Sequence, residues 1–319
     1  MESNGPKKAL VTGATGFIGG RLTERLLAEG ISVRALVREF DKAAWLAARG
    51  AELVAGDVTE PDTLPPAFES CQLVFHCAAL MHDAQVPADE YRRVNVQGVE
   101  HMLEAASRAE LERFVYVSSI AVYGISPKKK TTEADPHELC GIPYIDTKVE
   151  AEEIAFRYCR ENRLPLVVIR PANVYGPRSR AWTVWLVEMI KSGRVFLIDD
   201  GCGMSNEVYI DNLIEALLLA ARSERAVGEA FIISDGAQTN WREFLGHYAQ
   251  MLGRKLHSVP RSQAVEPPYN LSLLEADLWT QSGSFDITKA RTLLGYAPRI
   301  SLAEGMRLTE QWLRAAGYI

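Results

Sequence analysis

The chain has no Cys-x-x-Cys pair, no long uninterrupted apolar run and no basic stripe, and each absence removes a class of function. Its five cysteines, Cys71, Cys77, Cys140, Cys159 and Cys202, are scattered and odd in number. That argues against a disulfide framework or a zinc cluster, so no metal is expected, and free thiols suit a reducing cytoplasm. The richest apolar helix, residues 213–221, is interrupted by Glu215 and is far too short to span a bilayer. Residues 1–8 are polar and lack the apolar core of a signal peptide, so a soluble protein with no membrane partner is expected. The formal charge is −6 and the pI about 5.7, which makes nucleic acid an unsuitable partner. What remains is 319 residues with 47% hydrophobic content, enough for one extended α/β domain or a main domain with a satellite.

The most informative stretch is Thr12-Gly13-Ala14-Thr15-Gly16-Phe17-Ile18-Gly19. An apolar run over residues 7–11 predicts a buried strand, and apolar residues at helical spacing from Phe17 to Leu27 predict a helix. A glycine-rich turn therefore joins strand to helix. Gly13 permits the tight turn, Gly16 lets backbone approach a pyrophosphate, and Gly19 lets the helix pack close to the strand. The helix N-terminus would then face the phosphates of a dinucleotide.

Further strands are predicted over 32–37, 51–58, 73–79, 113–119, 166–171 and 230–234. Ligands of open α/β sheets bind at the carboxyl ends of strands, which here carry Arg38, Asp57, Val58, Ala78, Ala79, Ser118, Ser119 and Pro171. Arg38 would pair with a 2′-phosphate, favouring NADP over NAD; Glu39 and Asp41 stand close enough to neutralise it as a surface arginine. His76 and Cys77 lie inside an apolar run and are read as core. Residues 81–87 form a loop at the ligand edge, residues 90–109 a helix, and residues 128–133 a polar loop with no assigned chemistry.

Residues 144–162, preceded by Pro143, form a helix on which Tyr144 and Lys148 share one face. A phenol ionises near pH 10, and an adjacent ammonium would bring it towards the working range of a general base.

Four ordered signatures now resemble one family. Thr12-Gly13-x-x-Gly16-x-x-Gly19, Ser118-Ser119-x-x-Val122-Tyr123-Gly124, Tyr144-x-x-x-Lys148 and Arg170-Pro171-x-x-Val174-Tyr175-Gly176-Pro177 are similar to the extended short-chain dehydrogenases/reductases, the NAD-dependent epimerase/dehydratase group. The resemblance implies a Rossmann-type doubly wound parallel sheet with a small discontinuous C-terminal substrate lobe. Residues 1–171, 207–236 and 299–319 would hold the dinucleotide, and 172–206 with 237–298 the substrate. Tyr144 would be the general acid/base, Ser119 would hydrogen-bond the substrate oxygen, and Lys148 would hold the nicotinamide ribose and lower the Tyr144 pKa. Gly13, Gly16, Phe17, Ile18, Gly19, Arg38, Asp57, Val58, Ala78, Ala79, Lys148 and Pro171 would meet the cofactor; Leu80, His82, Ser119, Asn173 and Trp182 would meet a small-molecule substrate. A homodimer through the Tyr144 helix and its neighbour is implied as well.

Departures from the pattern narrow the reaction. Sugar-nucleotide dehydratases carry an Asp-Glu pair where this chain has Ile120-Ala121, which disfavours dehydration. Nucleotide-sugar epimerases clamp a diphosphate with arginines, whereas residues 203–207 read Gly-Met-Ser-Asn-Glu and residues 267–283 contain no Arg or Lys. Arg178 or Arg180 could compensate. Trp182, Trp185, Leu186, Met189, Leu273, Leu274 and Trp279 offer apolar surface instead, for a substrate, a dimer face or a lobe core. Residues 228–236, 285–290 and 294–298 look like the 3β-hydroxysteroid dehydrogenase-like branch. The expected activity is hydride transfer between nicotinamide and a secondary alcohol/ketone pair, sterol-like or otherwise apolar. A UDP-sugar 4-epimerase and a non-catalytic dinucleotide sensor are the alternatives.

Overall fold

The computed structural model describes residues 7–81, 85–125, 129–267, 269 and 271–319. At its centre are β1 (Lys8–Thr12), β2 (Ser32–Val37), β3 (Glu52–Ala55), β4 (Leu73–His76), β5 (Arg113–Val117), β6 (Leu166–Pro171) and, near the end of the chain, a last strand, Ala230–Ile233. These seven strands are all parallel, with Ala230–Ile233 at one edge, then β6, β5, β4, β1, β2 and β3. The order reverses direction beside β1, the switch point at which such sheets bind ligands.

Both faces of the sheet are covered, and the alternation along each strand shows it. Ala9, Val11, Phe75, Val115, Val117, Val167 and Ile169 enter one apolar cluster; Leu10, Val74, Phe114, Tyr116, Leu166 and Val168 enter the other. Near-continuous apolar runs are what a strand buried on both sides requires. Helix α1 (Phe17–Ala28) buries Leu22 and Leu26 in the first cluster, and the helix Gly98–Ser107, α2, buries Val99, Met102 and Leu103 in the second.

Three expectations need correction. The strands predicted over 51–58, 73–79 and 113–119 stop at Ala55, His76 and Val117, because the ladder ends where its neighbours turn away at the carboxyl edge. The helix predicted over 90–109 is broken into Ala88–Tyr91, a π-helical turn Arg92–Gln97, and α2. The described part of the polar loop, residues 129–133, is built into the fold: Lys130–Thr131 pairs with Ser284–Phe285, and Glu133 Oε1 accepts the N–H of Ile232 at 2.8 Å, covering the outermost strand.

Most of the remaining elements gather beyond the carboxyl edge, whereas the helix of residues 210–222 packs against α1, β5 and β6. After α3 (Pro143–Asn162) and β6, the short β7 (Asn173–Tyr175) runs parallel to β8 (Glu207–Tyr209). Leu197–Ile198 pairs with Ser258–Val259 above a small cluster of Ile198, Val259, Ala264 and Ala276. Helix α4 (Ile210–Arg222), helix α5 (Trp241–Met251) and the C-terminal α6 (Leu302–Ala315) all contribute to the first large cluster.

Candidate active site

The turn after β1 is shaped by close backbone approach. Gly13 has φ +64, and a Cβ there would lie 2.8 Å from the Ala78 nitrogen and 2.9 Å from the Cys77 carbonyl carbon. A Cβ on Gly19 would lie 2.3 Å from the Gly13 oxygen, whereas one on Gly16 meets only that oxygen, at 3.1 Å. The turn thus nests against the end of β4 and stays open at Gly16. No side chain caps α1 and its first turn has no acidic residue. Its free N–H groups and positive dipole end fit a pyrophosphate. Phe17 and Ile18 pack on the first cluster from this turn.

Arg38 follows β2 and its side chain is 71% exposed, with Asp57 Oδ2 at 3.8 Å. Asp57 Oδ1 accepts from the Thr59 amide and hydroxyl, both at 2.9 Å. Glu39 pairs with Lys42 rather than with Arg38. Val58 is buried against Gly98, and its carbonyl lies 2.9 Å from His101 Nδ1, so it ties the segment after β3 to α2. Below this edge His76 is fully buried and stacked on Tyr116, as the core reading expects. Thr12 Oγ1 is 2.8 Å from His76 Nδ1 and accepts from the Ala78 N–H at 3.2 Å. Burial, reinforced by Lys148, pushes the His76 pKa down to about 3, and burial pushes Cys77 up to about 12.

Ser119 stands just past β5 and caps a short 3₁₀ turn, its Oγ accepting from the Ala121 N–H at 3.1 Å. Tyr144 sits in the first turn of α3 against it. Burial raises the phenol pKa above 10, the hydrogen bond with Ser119 pulls it down, and Tyr91 adds to the rise. Lys148 is 2% exposed. Its Nζ donates to the Val117 carbonyl at 3.1 Å and lies 5.1 Å from the Tyr116 ring centre. Burial lowers its pKa to about 8, against Glu152 and Cys77, which favour the charge. A buried cation takes the nearest carbonyl and ring face, and Lys148 does both, four residues along α3 from Tyr144.

The NAD dependent epimerase/dehydratase family matches residues 9–234. The chain belongs to this family. Three relatives stand at nearly equal distance. A 4-hydroxy-2-methyl-3-oxo-4-farnesyl-3,4-dihydroquinoline-1-oxide ketoreductase of Stigmatella aurantiaca is 31% identical, over 95% of this chain and 96% of the relative. A 3 beta-hydroxysteroid dehydrogenase/Delta 5-->4-isomerase of Mycobacterium tuberculosis is 30% identical, over 94% and 88%. A UDP-glucose 4-epimerase of Mycolicibacterium smegmatis is 31% identical, over 96% and 98%. The protein is thus an NAD-dependent enzyme of the extended short-chain dehydrogenase/reductase type, and the site must say which reaction it favours.

Beyond the carboxyl edge, Asn173 donates from Nδ2 to the Ser205 carbonyl at 2.7 Å. Trp182 stacks on Trp241 at 5.7 Å between ring centres, and Trp241 meets Trp279 at 4.5 Å. Trp182, Leu186 and Trp279 are therefore tied to the core, while Trp185 and Leu273 are exposed. Arg178 is engaged elsewhere, pairing with Glu24 at 3.2 Å and lying over the Trp45 ring. Leu80 is half-buried in the loop after β4, and Pro171 is buried at the end of β6; His82 and Lys128 lie outside the described residues, as do the side chains of Leu274 and Glu275.

Two groups of residues escaped the sequence reading. Asn95, on the π-helical turn, accepts from the Leu80 N–H at 2.7 Å, donates to the Leu80 carbonyl at 3.0 Å and reaches Thr147 Oγ1 at 3.3 Å. It pins the loop after β4 to α3. The second is a buried ion pair, Arg170 Nε to Glu152 Oε2 at 3.0 Å, in which Arg170 also donates to the Tyr123 hydroxyl and to His137 Nε2 at 2.8 Å. It ties β6, α3 and the turn after Ser119 together.

Among the described residues no group of three or more His, Cys, Asp or Glu could hold a metal, and no helix is long and apolar enough to cross a membrane.

Proposed function

We propose that the protein is an NAD(P)-dependent oxidoreductase that transfers hydride between nicotinamide and a secondary alcohol/ketone pair on an apolar substrate. The observation that carries this is the group of Ser119, Tyr144 and Lys148 at the carboxyl edge, Lys148 buried and the other two half-buried, together with a substrate side short of cations. Residues 203–207 supply no positive charge, and Arg178 is held by Glu24. The relatives that act on farnesylated quinoline and steroid substrates support an apolar ligand.

Bound nicotinamide would supply the hydride donor or acceptor. Ser119 would hold the substrate oxygen. Tyr144 would give that oxygen a proton in ketone reduction and take it back in alcohol oxidation. Lys148 would hold the ribose and, with its ammonium, offset the burial that raises the Tyr144 pKa. Gly13, Gly16 and Gly19 would cradle the pyrophosphate, with Ala78, Ala79, Pro171, Asp57 and Val58 along the same edge. The exposed Arg38, only loosely engaged by Asp57, favours NADP over NAD. We place residues 172–206 and 237–298 on the substrate side as a discontinuous lobe, and the enzyme in the cytoplasm as a homodimer.

The test is absorbance of reduced nicotinamide while the protein meets hydroxysteroids, ketones, aldehydes and UDP-sugars with NADP(H) and NAD(H). Net oxidation or reduction of an apolar alcohol or ketone is the expected result. Inversion of a UDP-sugar without net redox would replace the reading with the epimerase one. That second reading has its own support in the UDP-glucose 4-epimerase relative and in Arg180, which is exposed and enters no ion pair among the described residues.

A further inference from the structure

Two exposed arginines border the segment that follows β3, and each has a different part of its guanidinium left to offer. A guanidinium is a planar fork whose N–H groups all lie at its edge, leaving two flat faces without donors. Arg38, after β2, has a side chain 71% exposed, and its ion-pair partner among the described residues is Asp57, at 3.8 Å. Its N–H edge is open to an anion, as the 2′-phosphate reading requires.

Arg93 is the opposite case. It stands on the π-helical turn Arg92–Gln97 with its side chain 47% exposed. Nε donates to Glu90 Oε2 at 2.8 Å, Nη2 to Glu90 Oε1 at 2.6 Å and Nη1 to Thr59 Oγ1 at 2.7 Å. The two-pronged pair with Glu90 balances its charge, and together with the Thr59 bond it occupies the edge on both sides. A flat face is what remains for a ligand. Thr59 in turn donates its amide and hydroxyl to Asp57 Oδ1, so Arg38, Asp57, Thr59 and Arg93 form one continuous chain of contacts. The Arg93 hydrogen bond holds the Glu90 carboxyl below its ordinary range, and Asp57 and Arg38 act on it as well, in opposite senses. The strand order fixes where this chain lies. With β1, β2 and β3 side by side, a dinucleotide whose pyrophosphate is at the turn after β1 and whose ribose is at the end of β2 brings its base to the segment after β3, residues 57–59.

We propose that Arg93 is a second cofactor-binding arginine, its guanidinium face packed on the adenine base while the edge of Arg38 takes the 2′-phosphate. This rests on the cofactor placement given under the proposed function. A guanidinium plane on the face of a base is an established way of holding it, and the contact is indifferent to a phosphate on the ribose. The division of labour follows from the bonds already made: the arginine with an unoccupied edge reads charge, and the one with an occupied edge reads the ring.

The experiment is fluorescence titration of NADPH and NADH into the full chain, with displacement of NADPH by adenosine monophosphate and by nicotinamide mononucleotide. Wild type, Arg93→Ala, Arg93→Lys and Glu90→Gln are compared, with circular dichroism to establish folding. Arg93→Ala is expected to weaken NADPH and NADH by the same factor, about fivefold, and adenosine monophosphate as much, while nicotinamide mononucleotide stays within about twofold. Arg93→Lys, which keeps a positive charge but has no plane, should lose at least about threefold, and Glu90→Gln, which keeps the guanidinium, should stay within about twofold of wild type. Wild-type affinity in Arg93→Ala or in Arg93→Lys would overturn the proposal. A loss confined to NADPH would make Arg93 a phosphate ligand instead, an equal loss of nicotinamide mononucleotide would mean a collapsed cleft, and a Glu90→Gln protein as weak as Arg93→Ala would mean that the ion pair alone matters. Wild type that bound neither dinucleotide would overturn the cofactor reading itself, and the titration of wild type separates that result from all the others.

Discussion

Tyr144 and Lys148 share a helix face, yet their surroundings treat them differently. In the proposed mechanism Tyr144 transfers the proton, so Tyr144→Phe should lower turnover about 10³-fold while the cofactor dissociation constant changes by less than about threefold. Steady-state kinetics and cofactor titration read the two numbers, and retained activity would remove the mechanism. Lys148 carries a pH signature. Its folded pKa, about 8, lies below the ordinary lysine value of 10.5, so the folded state gives up this proton before the unfolded chain does. Its contribution to stability is therefore fully present above the unfolded value and is lost as pH falls through about 8. Function runs the other way. Ketone reduction needs the charged ammonium, so kcat/KM of the free enzyme should fall as pH rises past about 8, and Lys148→Met should remove that limb along with most of the rate.

Among the elements, the β1–α1 turn and the π-helical turn tolerate change least. Gly19→Ala sets a Cβ 2.3 Å from the Gly13 oxygen, against backbone that cannot yield cheaply. A loss of about 1–3 kcal/mol is expected in urea unfolding, with weakened cofactor binding because the turn is displaced. Asn95→Ala strips both hydrogen bonds from the Leu80 backbone and should cost about 1–3 kcal/mol, lowering kcat through the misplaced loop rather than through the chemistry. Apolar periodicity made α1 and β2 legible over nearly their observed lengths, because each buries one stripe or both faces of a regular repeat. The π turn was missed although a signal existed. Buried Tyr91 and Val96 are five residues apart before the spacing returns to threes and fours at Val99, Met102 and Leu103.

At the scale of the molecule, the Arg170–Glu152 pair holds distant segments together. Arg170→Met leaves the Glu152 charge buried and unpaired and should cost about 3–5 kcal/mol, enough to lower the melting temperature markedly. Cofactor binding should act in the opposite sense. NADP at about 100 times its dissociation constant adds about 2.7 kcal/mol of stability. Thermal melts should therefore rise more with NADP than with equal NAD, and Arg38→Ala should erase the difference.

The sequence by itself determined the dinucleotide turn, the order of strands and helices, and the Tyr144 and Lys148 spacing, because each depends on contacts within one turn or one strand. Tertiary structure decided what those residues face. Lys148 turns to the Val117 carbonyl, Arg170 finds Glu152, Asn95 holds Leu80, and Glu207 comes level with Asn173. Those pairs lie far apart along the chain, and only the closure of a parallel sheet, with its crossovers fixing which strand ends meet, brings them within reach.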